Sequence, residues 1–326
     1  VITLKSLGFF FAQLREKQFF LRYTLACIFL FVHCNSYSNK LDHILFVLSK
    51  DRPELNKVVN IITNDFKTSK KFNFSVLLEN QLSIDDEVRN SEVIITLGTS
   101  AADRILAKKI TQPVINTLIT ESAFNALAEK YYGDVSKATD SGVNPIVLDQ
   151  PFERRLKLAR QLLKNMADVG VMLGPSVAKN HNSYTQSLLE RDLNPKILLL
   201  DSNKNPIRQL DPIVKASDVF IPIAGSHLIN VTTAKWILQL AYRYRIPVIG
   251  YSENYVAAGA LASVYSSPQD VSRQTLELVE SLLAEGHKNQ VHLPNYCTVK
   301  FNKTVAWHLN LTIPNKLEKN TGRCDL

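Results

Sequence analysis

Short apolar, β-branched runs alternate along the chain with stretches of helical periodicity, and most runs end in small polar residues. HILFVL (His43–Leu48), FNFSVLL (Phe72–Leu78), EVIITL (Glu92–Leu97) and the run from Pro113 to Leu118 predict four strands. Helices are predicted after Pro53 through Phe66 and over ADRILAKKI, which follows Gly98-Thr99-Ser100. Strand and helix in this alternation predict right-handed parallel crossovers and a first α/β unit ending near Ser141. The series then restarts. Ile146–Asp149 is extended, and Pro151 opens a charged amphipathic helix, PFERRLKLARQLL, at a position where its missing N–H costs nothing. VGVML (Val169–Leu173) leads through Gly174-Pro175-Ser176 into a helix ending near Arg191. KILLL (Lys196–Leu200), the run Asp218–Ile223 and IPVIG (Ile246–Gly250) are further strands. A strongly periodic helix covers Gln269–Gly286, and the tail holds an extended Val299–Phe301 and a short helix before Pro314. Two βα series of similar size, with no low-complexity linker between them, predict two α/β lobes joined by crossing strands.

The amino terminus breaks this pattern. Basic residues through Arg22 precede the twelve apolar residues YTLACIFLFVHC (Tyr23–Cys34) and the polar NSYSNK. A run of that length is short for a membrane span, which needs about 20 residues, and suits the core of an export signal. Residues 1–36 are therefore expected to be a signal peptide or N-terminal anchor, with cleavage after Ser36; lipidation of Cys34 stays open. This segment carries +3 of the formal net charge of +8, leaving +5 for the rest. No dense basic tract with interleaved aromatics appears, so no nucleic-acid partner is expected. Outside the leader only Cys297 and Cys324 remain; an oxidising compartment would permit them to pair. No CxxC or HxxxH spacing supports a metal site, so none is expected.

Chemistry concentrates at the strand ends. Gly98-Thr99-Ser100, Gly174-Pro175-Ser176 and Gly225-Ser226 each combine a glycine with a hydroxyl at a predicted helix start, where free N–H groups attract an anion such as a carboxylate. The same residues also serve as ordinary helix caps. GxGxxG and GxxxxGK[ST] are absent, so no nucleotide cofactor is expected. Gly250-Tyr251-Ser252-Glu253-Asn254 begins like a nucleophile elbow, but Asn254 replaces the second small residue, and no catalytic residue is assigned.

VIITLGTSAA, VLDQPFERRLKLARQLL, VGVMLGPS, RIPVIGYSENYVAAGALASVYSSP and NKTVAWHLNLTIP together resemble the substrate-binding proteins of bacterial ABC transporters, in particular the TrpX-type branch. The likeness runs from about Leu41 to Pro314. It implies a type I-like periplasmic-binding-protein fold: two Rossmann-like lobes, crossed by three chain segments, with a ligand cleft between them. Lobe one is expected over residues 40–144 and 254–288, lobe two over 145–253 and 289–316, and a tail over 317–326. The implied ligand residues are Thr99, Ser100, Ser176, Ser226, Asn230, Tyr251, Ser252 and Glu253. Relatives often carry an aspartate in the lobe-two loop, suited to a ligand ammonium, where this chain reads PIAGSH with Gly225. Losing that carboxylate puts a plain amino-acid ligand in doubt unless the GYSEN loop points Glu253 into the cleft to supply the charge.

The expected function is that of a periplasmic, monomeric solute-binding component of an ABC importer. It would bind a small polar, carboxylate-bearing ligand without catalysis and dock on a membrane permease. The alternative is a ligand-sensing or partner-binding module that feeds a receptor or an outer-membrane uptake system.

Overall fold

The computed structural model describes residues 42–49, 53–69, 71–81, 84–201, 203–223, 231–286, 290–318 and 321–324. The expected signal segment, and Ser226 and Asn230 in the loop after Ile223, lie outside the described residues.

The first α/β series forms β1 (His43–Leu48), α1 (Pro53–Ser69), β2 (Asn73–Leu78), α2 (Ile84–Arg89), β3 (Val93–Leu97), α3 (Thr99–Leu106), β4 (Val114–Ile119), α4 (Glu121–Tyr132), α5 (Val135–Asp140) and β5 (Val143–Val147). The strands pair in parallel in the order β2-β1-β3-β4-β5. Every residue of β3 is buried, as a parallel sheet covered on both faces requires. Phe46 of β1 meets Phe66 and Phe74 edge-on, with ring centroids 5.1 and 5.7 Å apart.

The second series comprises α6 (Phe152–Leu162), β6 (Asp168–Leu173), a 3-10 turn at Pro175–Asn180, α7 (His181–Leu189), β7 (Asn194–Leu199), α8 (Pro206–Lys215), β8 (Val219–Pro222), α9 (Val231–Tyr244), β9 (Ile249–Gly250), α10 (Glu253–Ala257) and β10 (Ala262–Tyr265). Pro151 stands just ahead of α6 rather than in its first turn. β7, β6 and β8 pair in parallel, and a single parallel bridge from Phe220 to Val248 continues the sheet to β9 and β10. After α11 (Pro268–Glu285), two antiparallel strands, β11 (Tyr296–Phe301) and β12 (Thr321–Arg323), close this edge beyond β10; α12 (Lys303–His308) and α13 (Asn315–Glu318) lie between them in the chain. Cys297 and Cys324 are disulfide-bonded, with Cα atoms 5.2 Å apart.

Hydrogen bonding fixes where the chain changes lobes. The first crossing is Leu148–Pro151, between β5 and α6. β10 pairs with both β9 and β11, so residues 254–265 belong to the second sheet and the chain crosses at Ser266–Ser267. There α11 starts with a capping box, Ser267 and Asp270 each bonding the other's backbone N–H, and it buries Val271, Val279 and Leu282 against Ile44, Phe46 and Leu97 of the first sheet. The third crossing follows His292, whose backbone still pairs with β5, and reaches β11 at Tyr296.

One side chain ties all three crossings together. Gln150 Nε2 donates to Ser266 Oγ at 2.9 Å and to the Tyr296 carbonyl at 3.1 Å. Its Oε1 accepts from Arg154 Nη1 at 2.6 Å, and the same nitrogen donates to the Pro294 carbonyl at 2.7 Å. Gln150 is buried, so Gln150→Leu strands these partners and is expected to lower stability by about 1–3 kcal/mol. Urea denaturation with an unchanged m-value would show it; a midpoint equal to wild type would mean that Gln150 does not hold the crossings together.

Candidate functional site

A cleft of about 790 Å³ opens beside the hinge, lined from both lobes and from the crossing segments. That is ample for a small solute, since ligand pockets run from roughly 300 to 1,000 Å³. Lobe one contributes the start of α4, Thr120, Glu121 and Ser122, with Asn125 and Glu129 one and two turns on. Thr120 caps α4 by accepting from the Ala123 N–H. The first crossing supplies Asp149 and Gln150. Lobe two supplies Phe152 and Arg155 from α6, Tyr184 from α7, and Tyr251 and Ser252 after β9; Tyr265 ends β10 at the second crossing.

Arg155 dominates the chemistry of this wall. It follows Phe152 by three residues and precedes Ala159 by four, which puts it on the buried stripe of α6 with Leu156. Its residue is 4% exposed. Nη1 donates to the Pro222 carbonyl at the end of β8, 2.6 Å away, whereas the buried Nε has no hydrogen-bond partner. Burial draws the guanidinium pKa down, and the field of Tyr184 and Asp149 partly restores it. Arginine titrates so high that it stays charged. Among the described residues this buried cation is bonded to one backbone carbonyl and keeps a donor left over, which is chemistry that can serve an anion.

The hinge carries the opposite sign. Asp149 is half-buried, and its Oδ2 accepts the Glu121 N–H at 2.6 Å, at the start of α4. Burial raises its pKa, opposed by that hydrogen bond and by Arg155. Glu121 is also raised, first by desolvation and then by the Asp149 charge beside it. The aromatic side chains complete the lining. Phe152 and Tyr184 meet edge-on at 5.1 Å, and Tyr251 packs on Tyr255 at 4.9 Å. Burial, reinforced by Glu253 and Asp270, pushes the Tyr265 phenol up to about 12, so it remains a neutral donor at physiological pH.

The residues expected from sequence divide into three groups. Tyr251 and Ser252 line the cleft. They follow Gly250, where an added Cβ would lie 2.5 Å from both Ser263 Oγ and Tyr255 Cβ, so only glycine lets β9 approach closely enough to aim this loop. Thr99 and Ser100 are exposed at the start of α3 and are not among the lining residues. Ser49 Oγ instead accepts the Ala101 N–H there at 3.0 Å, and Gly98 turns at φ 97° against that serine. Glu253 is exposed and pairs with Lys300. Ser176 lies in the 3-10 turn whose neighbours Val177 and Lys179 line the cleft; the placement of its own side chain is outside the described set, as are Ser226 and Asn230. Arg155, Asp149, Glu121 and Tyr184 were not singled out from sequence. For Arg155 a signal existed: it is a charged residue on the apolar stripe of an amphipathic helix.

Among the described residues no group of three or more His, Cys, Asp and Glu is arranged to hold a metal, and no helix is long and apolar enough to cross a membrane. The sequence matches, over residues 56–324, the family described as ABC transporter substrate binding protein. No curated protein sequence matches this chain. Among solved structures, a conserved domain protein from Vibrio cholerae is 18% identical, with TM-score 0.58, covering 86% of this chain and 99% of that one. An ABC domain from Streptococcus pneumoniae in complex with L-Trp is 15% identical, with TM-score 0.57, covering 85% and 98%. The ligand-free, open structure of a substrate-binding protein with adhesive properties from Clostridium difficile is 13% identical, with TM-score 0.65, covering 86% and 98%. At these identities the likeness is one of fold: two Rossmann-like lobes of a type I-like periplasmic-binding-protein architecture around a cleft.

Proposed function

Since the chain belongs to the ABC transporter substrate-binding protein family, we propose that it is the extracytoplasmic solute-binding component of an importer. It takes up a small carboxylate-bearing ligand between its lobes and performs no catalysis. The observation that carries the ligand class is Arg155, a buried guanidinium in the cleft wall with an unpartnered Nε. The carboxylate thus docks on α6 of lobe two, and the hydroxyl loops read from sequence have at most an auxiliary part. The L-Trp bound by the Streptococcus relative, a carboxylate beside an aromatic ring, suits a cleft walled by Phe152, Tyr184 and Tyr251. Hinge bending about Gln150 would bring Glu121 of lobe one and Arg155 of lobe two onto the same molecule, which is how two-lobed receptors gain selectivity on closure. Native mass spectrometry of freshly purified protein tests the reading. A retained small molecule bearing a carboxylate is expected; a retained neutral or purely cationic molecule would contradict it.

A further inference from the structure

We propose that the end of lobe two away from the cleft is a membrane-facing surface, on which Tyr242, His308 and Trp307, accompanied by basic side chains, rest against an anionic phospholipid bilayer. This face lies outside the cleft and is independent of which solute the cleft takes.

Two large rings stand in water there. Tyr242 on α9 is 76% exposed and Trp307 on α12 is 74% exposed. They share one surface, because the His308 ring lies between them, its centroid 6.5 Å from that of Tyr242 and 5.0 Å from that of Trp307. The path of the chain fixes the place of this cluster. β9 hands on at Gly250 to Tyr251 and Ser252 in the cleft, whereas α9 ends at Tyr244 and feeds β9 from its opposite end. β10 runs parallel to β9, and Phe301 at the end of β11 pairs with Ala262 at the start of β10, so α12 also begins at that far end.

Charge selects the occupant. Residues 219–252 and 286–317 contain no Asp or Glu, and they carry three and four Lys or Arg respectively. Those seven exceed the +5 of the whole chain outside residues 1–36, so the remainder is net negative and the positive charge is concentrated in these two stretches. Arg243, Arg245 and Lys303 bring it to the rings. All three are exposed; the arginines follow Tyr242 by one and three residues, and Lys303 stands one turn before Trp307 on the same helix face. The acids that neighbouring elements supply are engaged. Asp211 on α8 accepts the Tyr244 hydroxyl at 2.8 Å, and Glu253 on α10 pairs with Lys300. The occupant must therefore be anionic and must also accept two aromatic rings. A phospholipid leaflet offers both in one plane: its headgroups attract Lys and Arg, and Trp and Tyr settle at the interface with their polar atoms toward water. A second copy of this chain would set Arg243 and Arg245 against their own counterparts across a two-fold axis, which like-charge repulsion opposes. A single-stranded nucleic acid would want ring faces in series, but Tyr242 and Trp307 meet His308 at 83° and 67°.

Trp307 itself reports the contact. The chain has two tryptophans, Trp236 and Trp307, so full-length Trp236→Phe leaves Trp307 as the single emitter. If that variant does not fold, subtracting the spectrum of Trp307→Phe from wild type gives the same signal. Vesicles of two parts phosphatidylcholine to one part phosphatidylglycerol should shift Trp307 emission to the blue, and bromine on the acyl chains should quench it. Arg243→Gln combined with Arg245→Gln should lower the vesicle partition coefficient about twenty-fivefold, at about fivefold per basic residue near an anionic surface. Added salt should weaken binding in the same direction. Co-sedimentation with vesicles and no change in Trp307 emission would overturn the proposal, because another segment would then hold the chain. An equal shift with pure phosphatidylcholine vesicles would also overturn it. So would a blue shift that grows with protein concentration in the absence of lipid, or one produced by a single-stranded oligonucleotide and not by vesicles.

Discussion

Replacing Arg155 with methionine is expected to abolish ligand binding while leaving the free protein about as stable as wild type. Truncating one partner of a buried, hydrogen-bonded charge pair costs roughly 2–5 kcal/mol of binding free energy, a loss of about thirtyfold to several thousandfold in affinity. The free protein should respond differently. The buried guanidinium donates to the Pro222 carbonyl and, among the described residues, makes no salt bridge to Asp149. Removing it relieves the desolvation of a charge, loses one hydrogen bond and its field on Asp149, and leaves an apolar chain of similar length between Phe152 and Leu156. The melting temperature without ligand should therefore move little, whereas the ligand-induced shift should vanish. Loss of both together would mean that Arg155 holds lobe two together and has no ligand role.

Reducing the Cys297–Cys324 disulfide is expected to produce the largest loss of stability. The bridge spans 27 residues in sequence. In the chain-entropy account, closing a loop of that size restricts the unfolded chain by about 3.5 kcal/mol at 25 °C. The native contacts it secures are also local. Cys297 is buried in the lobe-two core, and β11 pairs with β12 through Tyr296–Arg323, Cys297–Gly322 and Thr298–Thr321. Without the bridge, β12 is a three-residue edge strand, too short to hold its register alone. Denaturation of the Cys297→Ser, Cys324→Ser double variant should show the decrease, and adding reductant to wild type should reproduce it. A midpoint unaffected by either would mean that β12 is held by packing.

Much of the architecture was legible because its signal is local. Runs such as VIITL and VGVML are apolar at every position, which marks strands buried on both faces, and the helices between them are periodic enough to predict parallel crossovers. The strand from Ala262 to Tyr265 was not legible. ASVY is four residues inside a small-residue stretch, and only its pairing with β9 and β11 assigns it to lobe two. With that pairing the chain leaves the second sheet at Ser266. The cleft was harder still. Tyr251 and Ser252 could be anticipated from a strand-end loop. Thr99 and Ser100 look like anion-binding chemistry in one dimension, yet Ser49, 52 residues from Ala101 in sequence, takes one of the N–H groups that made them attractive. Asp149 ends the extended run Ile146–Asp149 in the sequence, and neither it nor Gln150 stands out there, because their contacts depend on three crossings that meet only in the folded chain. Arg155 is the exception: an arginine on the apolar stripe of PFERRLKLARQLL is a buried charge in need of a partner, and that can be read from the spacing alone.

The carboxylate dock on Arg155 is tested most directly by a crystal structure of the protein bound to the solute that co-purifies with it. The predicted result is a ligand carboxylate within hydrogen-bonding distance of the Arg155 guanidinium, between Phe152 and Tyr184. A ligand seated on Thr99 and Ser100, with the Arg155 Nε still unpartnered, would contradict it.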